Sequence, residues 1–160
     1  DGAFAPPPGI VIEKELPIVR MAARTLTAAA DSDGLQQLAD ADAPDMLALA
    51  ALTEPGPFLS RTHRLGVFWG IKENGRLLAM AGERLRPEGF TEVSGVCTHP
   101  DARGRGLARK LSAWVALRIA ARGETPFLHS LATNTNAVRL YQSLGFTPWR
   151  EVTAVVLRAS

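Results

Sequence analysis

The stretch V-S-G-V-C-T-H-P-D-A-R-G-R-G-L-A-R-K-L, from Val93 to Leu111, decides the fold. An apolar run is broken by His99-Pro100, two glycines follow, and then apolar residues recur at intervals of three and four: Leu107, Ala108, Leu111, Trp114, Val115 and Ile119. That spacing predicts an amphipathic helix with Arg109, Lys110, Arg118 and Arg122 at the positions between. Gly123 stops it, Pro126 prevents its resumption, and Phe127 to Ala132 reads as a short buried strand. A strand, helix, strand unit of this length implies a right-handed crossover between parallel strands. Chemistry enters at the turn. Gly104 and Gly106 let the backbone approach a ligand, the helix start offers unpaired N–H groups, and Arg103, Arg105, Arg109 and Lys110 add cations, so the turn suits a pyrophosphate.

Upstream, Leu65 to Lys72 and Arg76 to Arg86 flank Glu73-Asn74-Gly75, and Asn-Gly between apolar runs signals a hairpin. Arg86-Pro87-Glu88-Gly89 makes the next turn, into Phe90 to Thr98, so a three-stranded meander feeds the crossover unit and the sheet is mixed. Asp1 to Gly9, with three consecutive prolines, is expected to be extended or disordered. Ile10 to Met21, interrupted at Pro17, suggests an edge strand. Leu26 to Ala41 has weak helical character, and Asp42 to Leu52 reads as a helix with Pro44 in its first turn and Met46, Leu49 and Ala50 on one face. Downstream, Asn134 or Thr135 caps a helix carrying Ala137, Leu140, Tyr141 and Leu144 on one face; Gly145 ends it, and Glu151 to Arg158 closes the chain as a strand.

The chain has 160 residues, 46% of them apolar and 21% charged, which suits one soluble domain spanning 1–160. A net charge of +2 and 6% aromatic residues give no basis for nucleic-acid binding. Thr25 to Ser60 holds no Lys or Arg but carries Asp31, Asp33, Asp40, Asp42, Asp45 and Glu54, read as solvated helix faces. Cys97 is the single cysteine, so no intrachain disulfide framework exists and a reducing compartment, the cytoplasm, is expected. No apolar run is long enough to span a membrane, and the opening residues lack the regions of a signal peptide. Cys97 and His99 would share a strand face, but their setting reads as core and strand exit rather than as a thiol nucleophile with its base. Cysteine and histidine spacing offers no metal site.

Two ordered signatures resemble those of the GNAT superfamily of N-acetyltransferases. The first is Arg103-x-x-Gly106-x-Ala108 after a central strand; the second is Asn134, Ala137, Leu140, Tyr141, Gly145 and Phe146 in the spacing N-x-x-A-x-x-L-Y-x-x-x-G-F. The resemblance implies an α/β fold, with a mixed, mostly antiparallel twisted sheet, a central parallel strand pair and helices on both faces. It divides the chain into a variable acceptor-side region (10–64), an acetyl-CoA-binding and catalytic core (65–146) and a closing strand (147–160), with two helices expected after the first strand. It implies direct transfer of an acetyl group from acetyl-CoA to a primary amine of a small amine, an amino acid or a protein N-terminus, by a monomer or homodimer. A non-catalytic acyl-CoA sensor on the same fold is the alternative.

By the same resemblance, the CoA pyrophosphate rests on Arg103, Gly104, Arg105, Gly106, Leu107 and Ala108, the pantetheine runs along Val96, Cys97 and Thr98, and Asn134 contacts CoA. Tyr141, the only tyrosine, matches the proton donor to the leaving thiolate. Two residues stand out as the base. Glu92 shares a strand face with Ser94, Val96 and Thr98 by simple alternation, and His129 lies on the second parallel strand; Glu83 is a third candidate. A dinucleotide fingerprint fails because Arg109 stands where its third glycine belongs, and no Lys-Ser/Thr follows the glycines as a P-loop requires.

Overall fold

The computed structural model describes residues 4–27 and 31–160. Seven strands form one sheet: β1 (Ile10–Ala22), β2 (Leu35–Leu38), β3 (Phe68–Glu73), β4 (Arg76–Glu83), β5 (Phe90–Thr98), β6 (Thr125–Leu131) and β7 (Thr147–Ala159), in the spatial order β2-β3-β4-β5-β6-β1-β7. Three helices pack on it: α1 (Ala43–Thr53), α2 (Leu107–Ala120) and α3 (Thr135–Ser143). Every neighbouring pair is antiparallel except β5 and β6, which the α2 crossover makes parallel. The expected mixed α/β architecture is therefore present.

The meander follows from its turn chemistry. Asn74 and Gly75 both take positive φ, 52° and 77°, the geometry a two-residue hairpin needs to match strand twist. α1 covers one side of the meander, burying Met46, Leu49 and Ala50 against Leu38, Phe68, Leu77, Met80 and Cys97. On the other side α2 buries Leu111, Val115, Ala116 and Ile119 against Val19, Met21, Leu78, Val93 and Leu128, and α3 joins this cluster through Val138, Leu140 and Tyr141.

Two expectations fail near the start. Ile10 to Ala22 is one strand rather than an edge segment, because β6 pairs with Ile18 to Ala22 on one side while β7 pairs along its whole length on the other. Pro17 is tolerated because it sits where the β6 ladder stops, its carbonyl accepting from Ala132 N at 2.9 Å. Within Leu26 to Ala41, residues 28–30 lie outside the described set. Leu35–Leu38 is the edge strand β2, paired with β3 and burying Leu38, so tertiary pairing overrides a weak helical pattern, and among the described residues one α-helix, not two, precedes the meander. Of the expected extended or disordered start, residues 1–3 also lie outside; Pro8 and Gly9 form a turn closed by Ile10 N on Pro7 O at 3.1 Å.

Candidate active site

The parallel pairing of β5 and β6 covers only Phe90 to Glu92 opposite Thr125 to Phe127. Beyond it β5 bends at a bulge: Gly95 and Val96 fall between the pairs Ser94–Gly82 and Cys97–Met80, where β4 supplies Ala81 alone. Gly95 holds φ at +63°, which a side-chain-bearing residue rarely adopts. The extra residue resets the alternation. Glu92 and Ser94 share a face, but the next residue on it is Cys97, packed with Met80 under α1, while Val96 turns to the α2 side. The expected common face of Glu92, Ser94, Val96 and Thr98 is therefore broken at Gly95.

Glu92 is 1% exposed. Arg84 donates to both its carboxylate oxygens, Nε and Nη2 each at 2.9 Å, and His129 Nδ1 lies 2.7 Å from Oε1. Burial by itself would raise the carboxyl pKa, but hydrogen bonds from His129 and Arg84 outweigh it and hold the group below the usual range. The other imidazole nitrogen, Nε2, accepts from Arg20 Nε at 3.1 Å. A guanidinium N–H cannot accept, so Nε2 carries the lone pair and Nδ1 the proton directed at Glu92. An aromatic series borders this group: Phe127 lies edge-on to His129 at 5.6 Å, Phe90 edge-on to Phe127 at 6.3 Å, and Trp149, 59% exposed, stacks on Phe90 at 5.9 Å. Glu83 points elsewhere. It pairs with Val93 on the α2 side, where both Nη atoms of Arg122 and one of Arg86 hold it, so it anchors the end of α2.

Tyr141 is partly buried against the α2-side core, edge-on to Phe146 at 6.1 Å. Burial pushes its phenol up to about 12, and the nearby Cys97 thiol acts in the same direction, so the hydroxyl keeps its proton at neutral pH. Burial also pushes Cys97 up to about 11, which makes it a poor nucleophile. His99 engages Arg76 and the Asp101 N–H instead of Cys97.

At the start of α2, Gly106 occupies the N-cap with φ +75° and no side chain caps the helix, leaving its first N–H groups free of side-chain partners. Gly104 has φ +78°, and a Cβ at either glycine would meet nothing within 4 Å, so the turn faces open space. Leu107 anchors the turn in the core and Ala108 is half-buried. Of the flanking cations, Arg105 pairs with Glu73 and Lys110 with Asp31; among the described residues Arg103 and Arg109 make no ion pair. Asn134 spends its Oδ1 on capping α3 at Ala137 N, 3.1 Å away. Thr98 Oγ1 is buried without a partner.

The structure thus joins Glu92 to His129 and gathers Arg103 through Ala108 at an uncapped helix start. It also supplies partners that sequence reading missed. Arg84 was accessible, since counting back symmetrically from Glu88 sets it opposite Glu92, as the bond from Arg84 N to Glu92 O confirms. Arg20 and Trp149 carried no local signal. Within the acidic stretch Asp40 pairs with Arg64, Asp42 with Lys72 and Asp31 with Lys110, while the side chains of Asp40 and Asp31 stay 67% and 65% exposed.

The family described as FR47-like protein matches residues 68–155. A crystal structure assigned to the GNAT acetyltransferase family, from Novosphingobium aromaticivorans, superposes with a TM-score of 0.93 at 50% identity, covering 98% of this chain and 70% of that one. The chain belongs to the GNAT family. Among curated relatives, the mycothiol acetyltransferase of Saccharopolyspora erythraea is 32% identical over 85 residues, 52% of this chain, and that of Mycobacterium avium 39% identical over 90 residues, 50% of it. The chain spans 28% of the length of each. Among the described residues no helix is long and apolar enough to cross a membrane, and no group of three or more His, Cys, Asp or Glu could hold a metal.

Proposed function

We propose that the chain transfers an acetyl group from acetyl-CoA to a primary amine. The observation that carries this reading is the Glu92–His129 pair, held where β5 and β6 stop pairing. The residues at the start of α2 fit the anionic end of CoA: free helix N–H groups, glycines facing open space, and the cations Arg103 and Arg109. When bound, acetyl-CoA supplies an acetyl thioester, whose C–S bond breaks as the amine nitrogen forms its bond to the carbonyl carbon. Val96, Cys97 and Thr98 border the parted strands, where Thr98 Oγ1 is buried without a hydrogen-bond partner.

His129 Nε2 is the base in this reading, oriented by Glu92, whose charge stabilises the imidazolium that forms. Tyr141, protonated at neutral pH, gives a proton to the departing sulfur. The protons balance. An ammonium acceptor loses two in becoming an amide; one passes through His129 to solvent, and the other restores the phenol. Relatives named as acetyltransferases favour transfer over sensing.

Thiol release from acetyl-CoA across a panel of amines tests the reading, together with thermal shifts for binding. Acetyl-CoA should raise the melting temperature of the wild type but not of Gly106→Asp, whose carboxylate would repel the phosphates. Unchanged CoA affinity in a folded Gly106→Asp protein would sink the assignment of the turn.

A further inference from the structure

Arg20 blocks the atom that the base would use: its Nε–H occupies the lone pair of His129 Nε2 at 3.1 Å. Its own surroundings are unbalanced. Arg20 lies directly across β1 and β7 from Arg150, and like charges in that position repel. Among the described residues neither arginine makes an ion pair with a carboxylate, whereas the neighbouring Arg84 is paired with Glu92. The Arg20 guanidinium also lies over the exposed Trp149 ring, 5.9 Å from its centroid. Arg150 lines a groove of about 700 Å³ along β1 and β7 with Ile18, Val152 and two carboxylates, Glu15 and Glu151, neither of which is paired with Arg20 or Arg150; the volume is in the range of small-molecule sites.

An anion at this point would relieve the repulsion between two arginines and draw Arg20 away from the imidazole. Resting on the acetyl-transfer reading, we propose that the acceptor is an amine bearing a carboxylate, which pairs with Arg20 and Arg150 and so frees His129 Nε2 to take the proton of the amine. Arg20 is then the residue that determines acceptor class. A neutral amine leaves Nε2 occupied; an amino acid uncovers it.

The experiment compares amino acids, α and ω, each with its own carboxamide, by thiol release, and follows the ¹⁵N resonance of His129 Nε2 in the same protein. Each acid should exceed its amide in kcat/KM by about tenfold or more, as a charge-assisted pair predicts. Arg20→Gln should erase that preference through KM of the acid while raising the rate with the amide, because Nε2 is no longer occupied. Arg150→Gln should reduce the preference in part. The Nε2 resonance should move when the amino acid is added, but not with the carboxamide, and not in Arg20→Gln. Release without any acid preference, or an equal loss for acid and amide in Arg20→Gln, overturns the proposal and leaves acetyl transfer standing. Absence of release with every amine overturns the transfer reading instead, and the resonance, which needs no catalysis, still decides whether the arginine pair takes a carboxylate.

Discussion

Tyr141 is the chain's one tyrosine, so phenolate absorbance reports a single group. With its phenol pushed up to about 12, the native protein should show no phenolate while unfolded chain titrates near its ordinary value of about 10. The sign follows: the folded state retains a proton that the unfolded state loses, so this contribution to stability is complete below the unfolded pKa and disappears as pH rises through the folded one. A native titration near the ordinary value would show the hydroxyl to be solvated. Tyr141→Phe should lower turnover about tenfold or more with acetyl-CoA affinity nearly unchanged, since the ring still packs and only the donor is gone; wild-type turnover would reduce Tyr141 to a packing residue. Arg84 offers a second test. Arg84→Met leaves a 1% exposed carboxylate without its cation, and breaking such a pair costs about 3–5 kcal/mol. In the wild type, stability from ionised Glu92 is present above the ordinary carboxyl pKa and is lost as pH falls through the depressed folded value. The variant binds that proton more readily, so the urea midpoint gap between the two proteins should narrow on acidification; a gap constant with pH would mean that Glu92 does not cause it.

Turns and helix ends distinguish two glycines that belong to the two signatures. Both Gly106 and Gly145 have positive φ, 75° and 100°. Alanine at either costs roughly 1–2 kcal/mol of backbone strain. They differ in what a side chain would meet: nothing at Gly106, but the Thr25 carbonyl oxygen at 2.3 Å from a Cβ at Gly145. Gly145 lets the end of α3 close on the segment after β1, where Thr27 N bonds Leu144 O at 3.1 Å. Gly145→Ala should therefore lose a further 1–3 kcal/mol or so through overpacking, while Gly106→Ala stays well folded and weakens CoA binding. Equal melting temperatures for the two variants would contradict this. Gly95 serves the sheet in the same way, since its bulge carries β5 away from the β6 direction and creates the gap beside Glu92.

Across the whole molecule, β1 ties distant parts of the chain together: β7 pairs with it from Ile10–Ala159 to Ala22–Thr147 and, among the described residues, with no other strand. Removing residues 1–22 should therefore abolish cooperative unfolding, read by circular dichroism, because β7 would lose its ladder and β6 would become an edge. Retention of a sharp transition would show the strand to be dispensable, as an edge strand would be. The meander, α1, α2 and the cap of α3 were legible from sequence because each depends on residues a few positions apart: Asn74-Gly75 for the hairpin, the three-and-four spacing from Leu107, Pro44 ahead of Met46, and Asn134 three residues before Ala137. The two signatures likewise located the turn and Tyr141. Only tertiary structure decided that β1 lies between β6 and β7, that Leu35–Leu38 is a strand, that the bulge resets the faces of β5, and that Arg20 reaches His129 across 109 residues. The reason is physical: helix periodicity and turn φ values are fixed by near neighbours, whereas an alternating strand carries no code for its partner, and ion pairs on a sheet exist only once its register is set.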